Sequence, residues 1–113
     1  MPKAPKPLHF CGDSHSVLAT FPEDARRAAG FSLYMIQVGR EPDDWKPMTT
    51  VGAGVREIRV RDGAGAYRVF YVTKFVEAVY VLHCFQKKSQ QTAARDIELG
   101  RKRLKILLEE RGQ

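Results

Sequence analysis

Cysteine is scarce in this sequence. Cys11 and Cys84 are the only two in 113 residues, too few for a disulfide framework and at no metal-binding spacing, so reduced, packed thiols are expected. Long apolar runs are also missing: the longest uncharged hydrophobic stretch, Ala78 to Phe85, falls far short of the roughly 20 residues that cross a bilayer. The opening Met1-Pro2-Lys3-Ala4-Pro5-Lys6-Pro7 lacks the apolar centre of a secretory signal, which leads to the expectation of a cytoplasmic protein with no membrane partner. Gly63-Ala64-Gly65 lacks the third glycine of a dinucleotide loop, and no Gly-Lys-Ser/Thr follows any glycine cluster. A zinc site drawn from His9, Cys11, His83 and Cys84 has no supporting spacing, and no Ser-His-Asp or Cys-His set has a recognisable local context. Neither a cofactor nor a metal is expected, and no internal repeat or low-complexity tract is present.

What remains is a chain with 43% hydrophobic and 28% charged residues, suited to one soluble domain over residues 1–113 with residues 1–6 flexible. The net charge of +6 is unevenly placed: residues 1–50 carry six Lys/Arg against six Asp/Glu, and residues 51–113 carry thirteen against seven. A polyanion would therefore dock on the second half.

Leu8-His9-Phe10-Cys11 reads as an edge strand, and Asp13 or Ser14 as the N-cap of a short helix through Val17, Leu18 and Phe21. Pro22-Glu23-Asp24 starts a second helix that Gly39 closes, with Ala25, Ala28, Ala29, Ser32, Leu33 and Ile36 at helical spacing. Residues 40–54 read as a loop, broken by Pro42, Pro47 and Gly52-Ala53-Gly54. Three strand-like runs follow, at 55–61, 66–73 and 78–85, and Asp62-Gly63-Ala64-Gly65 supplies the turn between the first two. A last helix from about Thr92 to Glu110 carries Ala93, Ile97, Gly100, Leu104 and Leu108 on one stripe, and Gly100 there implies close packing against the sheet. The fold class is α+β: a helical hairpin and a C-terminal helix on a mainly antiparallel sheet.

One pattern breaks the apolar logic of the strands. On period-two alternation Arg56 shares a face with Ile58 and Val60, and Arg68 shares one with Phe70 and Val72. A buried guanidinium needs a partner, so each arginine either pairs with a carboxylate or opens into a cleft that takes an anion. Between Arg56 and Lys88 there are seven basic residues and three acids, Glu57, Asp62 and Glu77, which leaves an uncompensated basic concavity. Lys87 and Lys88 follow the strand ending at Phe85; they read either as a solvated pair or, beside Arg59, Arg61 and Arg68, as phosphate contacts. His83, alternating with Val79, Val81 and Phe85, reads as a packed, hydrogen-bonded histidine.

Phe21-Pro22-Glu23-Asp24-Ala25-Arg26-Arg27, Gly52-Ala53-Gly54-Val55-Arg56-Glu57-Ile58, Ala66-Tyr67-Arg68-Val69-Phe70-Tyr71, Val81 to Ser89 and Asp96-Ile97-Glu98 resemble, in order, the phage-derived Gp49-like branch of the RelE/HigB toxins. The resemblance spans about Lys6 to Glu110. It implies a RelE-like fold and the toxin half of a type II toxin–antitoxin pair, a ribosome-dependent endoribonuclease that cleaves translated mRNA without a metal. The family chemistry is attack of a ribose 2′-hydroxyl on the adjacent phosphate, with Arg and Lys groups stabilising the charge that builds on phosphorus-bound oxygens.

By matching motif, Arg68 resembles the phosphate-clamping arginine, Arg59 and Lys88 fall where relatives place other basic residues at the scissile phosphate, and neighbouring Lys87 is expected to serve the same catalytic end. Arg56, Arg61, Tyr71 and Lys102 are the expected RNA-binding residues. The chain departs from several relatives in having no Tyr or His after His83, so the general base is unassigned: either the ribosome supplies the proton transfer, or Tyr71 or a lysine does, or catalysis is weak. Expected partners are the ribosome, mRNA and a cognate antitoxin, a helix-turn-helix protein from the adjacent gene that covers the basic concavity. Two other readings stay open: a ParE-like poison of DNA gyrase, and a noncatalytic basic RNA-binding phage accessory protein.

Overall fold

The computed structural model describes residues 4–63 and 65–112. In chain order the elements are β1 (Leu8–Phe10), α1 (Ser14–Ala19), α2 (Glu23–Gln37), β2 (Trp45–Pro47), β3 (Val55–Asp62), β4 (Gly65–Val72), β5 (Val79–Lys87) and α3 (Ala94–Glu110). The strands form one sheet in the order β1-β5-β4-β3-β2, antiparallel except for the parallel β1–β5 pair. Among the described residues this is an α+β architecture of three helices on an open five-stranded sheet, compatible with the RelE-like fold implied by the resemblance.

Both faces of the sheet are covered. Helices α1 and α2 set Leu18, Phe21, Ala25, Ala29, Leu33 and Ile36 against Ile58, Val60, Tyr67, Val69, Tyr71, Val79, Val81 and Cys84. Helix α3 sets Leu104 and Leu107 against Val55, Phe70, Val72, Tyr80, Leu82 and Phe85 on the other side. The central strands β4 and β5 are therefore unbroken buried runs, Tyr67–Val72 and Val79–Phe85, where a strand covered on one face would alternate.

The helix ends follow local chemistry, with two departures from expectation. Glu23 and Asp24 occupy the first turn of α2, where the helix dipole favours acids. At its other end Gly39, at φ 85°, allows the Arg40 N–H to reach the Met35 carbonyl at 2.8 Å and its own N–H to reach that of Ile36 at 3.0 Å. The expected side-chain cap of α1 is not formed. Instead Ser14 Oγ donates to the Val81 carbonyl at 3.2 Å and the Asp13 carboxylate accepts from Arg103 of α3, so both side chains tie α1 to the rest of the fold.

The second departure is β2, a three-residue strand inside the segment read as loop. It pairs with β3 at the sheet edge, where Pro47 removes no required hydrogen bond. The N-terminal lead is also more structured than expected at Lys6, whose N–H donates to the Gln37 carbonyl at 2.9 Å and whose ammonium reaches the Thr73 carbonyl at 3.0 Å. Residues 1–3, also included in that expectation, lie outside the described residues, as does Ala64 of the expected β3–β4 turn.

A bulge in β5 reorganises the sheet. Phe70 pairs with His83 but Tyr71 pairs with Val81, so Leu82 is an inserted residue. Val79 and Val81 point to α1 and α2, whereas Leu82, His83 and Phe85 lie on the α3 side. The extra Leu82 carbonyl accepts a hydrogen bond from Arg103 at 3.0 Å. The simple alternation that grouped His83 with Val79 and Val81 therefore fails at this point.

Candidate functional site

The pairing of β3, β4 and β5 builds a ladder on the α3 side of the sheet. Its first rung is Glu57–Phe70–His83, its second Arg59–Arg68–Phe85 and its third Arg61–Ala66–Lys87. Residues opposite one another across antiparallel strands share a face, so Glu57, Arg59, Arg61, Arg68 and Lys87 all project to one side. The apolar end of α3 covers the lower rungs through Gly100, where an added Cβ would lie 3.0 Å from both Phe70 and Val51. Toward the third rung α3 has yet to begin, and the polar segment after β5 lies over the sheet instead.

This leaves an open cleft of about 320 Å³ lined by Lys46, Met48, Glu57, Arg59, Arg68, Lys87, Gln90, Gln91, Thr92 and Ile97. Arg68 and Glu57 form its floor and are buried, with side chains 5% and 2% exposed. Arg68 Nη1 donates to the Tyr67 carbonyl at 3.1 Å. Its Nε stands 3.6 Å from Glu57 Oε1, a Coulombic contact beyond good hydrogen-bond length, and this buried N–H has no hydrogen-bond partner among the described residues. The guanidinium is thus held with donor capacity in reserve.

Burial dominates the electrostatics of the pair. It raises the Glu57 carboxyl above its ordinary pKa even though Arg68, Lys46, Arg59 and Lys87 all act to lower it. Burial likewise lowers Arg68; Glu57 opposes that shift, while Arg59 and Arg61 add to it. Arg59 has a looser partner, Asp44 at 3.8 Å, whose side chain is 60% exposed, a contact of the kind that contributes little in water. The Lys87 ammonium donates to the Gln90 carbonyl at 2.6 Å, which fixes it over the cleft. A carboxylate primed to take a proton, facing convergent cations, suits proton transfer beside a developing negative charge.

Of the eight site residues expected from sequence, the structure brings Arg59, Arg68, Lys87, Lys88 and Arg61 to one end of the sheet. It places the other three elsewhere. Arg56 is on the opposite face, stacked 4.3 Å from the Trp45 ring centroid and 3.7 Å from Glu41. Tyr71 is fully buried in the α1/α2 core, where burial pushes its hydroxyl up to about 12, so it neither meets RNA nor takes a proton at the cleft. Lys102 lines a separate groove between α3 and β1 with His9, Phe10 and Arg103.

Glu57 was not singled out by sequence reasoning, which counted it only as a neighbouring acid. Its alternation with Val55 and Arg59 and its place opposite the arginine strand were the available signals. His83 is the packed, hydrogen-bonded residue expected: its Nε2 is 2.7 Å from Asp96 Oδ1 and its ring stacks on Phe85 with centroids 5.0 Å apart. Cys84 faces the opposite core, so adjacent His83 and Cys84 do not converge on a common ligand.

Compared with known protein families, residues 16–105 match the family described as phage-derived protein Gp49-like. No curated protein matches the chain.

Proposed function

The chain belongs to the phage-derived Gp49-like family, and from that membership and its cationic cleft we propose that it is an endoribonuclease, the toxin half of a type II toxin–antitoxin pair acting on translated mRNA. The observation that carries this reading is the buried Glu57 facing Arg59, Arg68 and Lys87 across one cleft. Glu57 takes the proton of a ribose 2′-hydroxyl as its oxygen attacks the adjacent phosphorus. The P–O5′ bond breaks, leaving a 2′,3′-cyclic phosphate and a 5′-hydroxyl end, and Lys87 supplies the proton to the departing oxygen. Arg68, planar and able to donate twice, and Arg59 hold the phosphoryl oxygens as their charge rises.

Glu57 fills the general-base role that sequence alone left unassigned. A carboxyl raised by burial is a stronger base than an exposed one, and the neighbouring cations, which act to lower it, offset part of the cost of its ionised form. Exposed Lys102, Lys105 and Arg101 on α3 add a long-range field that draws the protein to ribosomal RNA. A helix-turn-helix antitoxin from the adjacent gene silences the folded toxin by covering the cleft.

Induction in cells followed by mapping of RNA 5′ ends tests this. In-frame cuts in translated messages are expected, lowered about 10²–10³-fold by Arg59→Ala. A DNA-damage response with intact messages would instead indicate a gyrase poison. Co-expression with the neighbouring reading frame is expected to yield a complex in which the cleft is inaccessible.

A further inference from the structure

Two adjoining hollows open onto Arg68 and Lys87 at the cationic end of the sheet, and among their described lining residues only the first has a carboxylate. The first is the Glu57 cleft. The second, also about 320 Å³, is lined by Arg61, Ala66, Arg68, Lys87, Lys88, Ser89 and Gln90. Arg68 and Lys87 are common to both, so the two are contiguous. Among the described residues lining the second hollow there are four cations and no carboxylate.

The ladder explains the separation. Arg59 and Arg61 are two residues apart on one face of β3, which sets their rungs roughly 6.7 Å apart at twice the rise per residue. That is the scale on which successive phosphates follow each other along an extended nucleic-acid strand. Ala66, between Arg61 and Lys87 on the third rung, is short enough to leave a recess where a larger side chain would fill the space. Lys88 lies just beyond the end of β5 and lines this recess, not the cleft that contains Glu57.

We propose that Arg61, Lys87 and Lys88 form a second phosphate subsite, one nucleotide from the reacting phosphate, so that the protein takes a single strand with two consecutive phosphodiesters. This deepens the nuclease reading and rests on it for the identity of the first site. It assigns Lys88 to substrate positioning, where motif matching had made it catalytic. Binding alone is needed to test it, so its fate is separable from that of the nuclease reading.

The probes are a thymidine dinucleotide with one phosphate and a trinucleotide with two. Both lack the 2′-hydroxyl and cannot be cleaved by the proposed chemistry. Their affinities are measured by NMR titration of the arginine side-chain N–H signals over a series of salt concentrations. The trinucleotide is expected to show a plot of log K against log salt steeper by about 0.7 than the dinucleotide, the increment for one further neutralised phosphate on a single strand. In the Arg61→Ala, Lys88→Ala double variant that extra slope is expected to vanish; both positions are exposed, so the fold is retained. Equal slopes for the two ligands in the native protein, persistence of the extra slope in the variant, or no shift of the Arg61 signal at millimolar trinucleotide would each overturn the proposal. If the two-phosphate signature holds while induced cells show no cut RNA, the subsite stands and the nuclease reading falls.

Discussion

The two arginines that broke the apolar pattern of the strands, Arg56 and Arg68, end in opposite circumstances. Arg56 sits at the end of β3 near the sheet edge, about one-third exposed, resting on Trp45 beside an exposed Glu41. Arg68 sits in the middle of the sheet, 4% exposed, against a buried carboxylate. Both share a strand face with valine, isoleucine or phenylalanine, so period-two alternation does not distinguish them. What separates them is the next layer: an edge strand and solvent beside one, a central strand and α3 above the other. An anomaly in a strand pattern thus gains meaning from its position across the sheet as well as along it.

The contrast can be broken most directly at the acid of each pair. Glu57→Ala leaves the Arg68 guanidinium buried without its counter-charge and is expected to cost roughly 3–5 kcal/mol in denaturant unfolding, whereas Glu41→Ala is expected to cost under about 1 kcal/mol. Comparable losses at the two sites would erase the distinction between the two pairs. Activity sharpens it further. Arg59→Ala should lower cleavage by about 10²–10³-fold, the range for removing one oxyanion donor, while Arg56→Ala should leave the rate within about twofold. The acid limb of the pH–rate profile is expected above the ordinary glutamate range, because burial raises Glu57, and to disappear in Glu57→Gln.

Stability should respond to pH in opposite senses at two carboxylates. Glu57, raised when folded, favours the fold at low pH, and that contribution is lost as pH rises through its folded value. Glu77 behaves the other way. Arg111 donates to it at 2.7 and 3.1 Å and holds its carboxyl down to about 2, so its contribution is present above about 4.5 and lost as pH falls toward 2. Because that pair secures the C-terminal end of α3, hydrogen exchange below about pH 4 should quicken in α3 before α2, and Glu77→Gln should remove the difference. A modest effect is expected at Gly100. Alanine there gains about 1 kcal/mol in helix propensity but presses on buried Phe70 and Val51, giving a net loss of roughly 1 kcal/mol by thermal unfolding.

Much of the fold was legible because its signals are local. Helical spacing at Ala25, Ala29, Leu33 and Ile36 and the β-branched and aromatic runs after residue 54 gave the element order, and Gly100 announced its close contact. Strand β2 was not legible, since three residues including a proline carry too little periodicity and owe their form to β3. The capping residues before α1 were misread because tertiary partners, Val81 and Arg103, outcompete the helix for their side chains. In the site, the basic residues stood out by number, but Glu57 did not, because its role depends on burial. The pairing of Asp62 with Gly65 fixes every pair along the hairpin, and following it would have set Glu57 one rung from Arg68. Tyr71 and Lys102 were misplaced for the complementary reason: their residue types suit RNA, but their faces do not.

The inserted residue in β5 has a consequence for the charge of the cleft. Had all nine residues of β5 alternated without a bulge, His83, Phe85 and Lys87 would follow Val79 and Val81 onto the side of α2, and Cys84 would take their place beneath α3. Skipping Leu82 in the pairing thus acts as a one-residue frameshift in three dimensions that keeps the Lys87 ammonium on the cleft side; deleting Leu82 would close the bulge and leave it there. A single irregularity in backbone pairing decides which surface of the molecule receives Lys87.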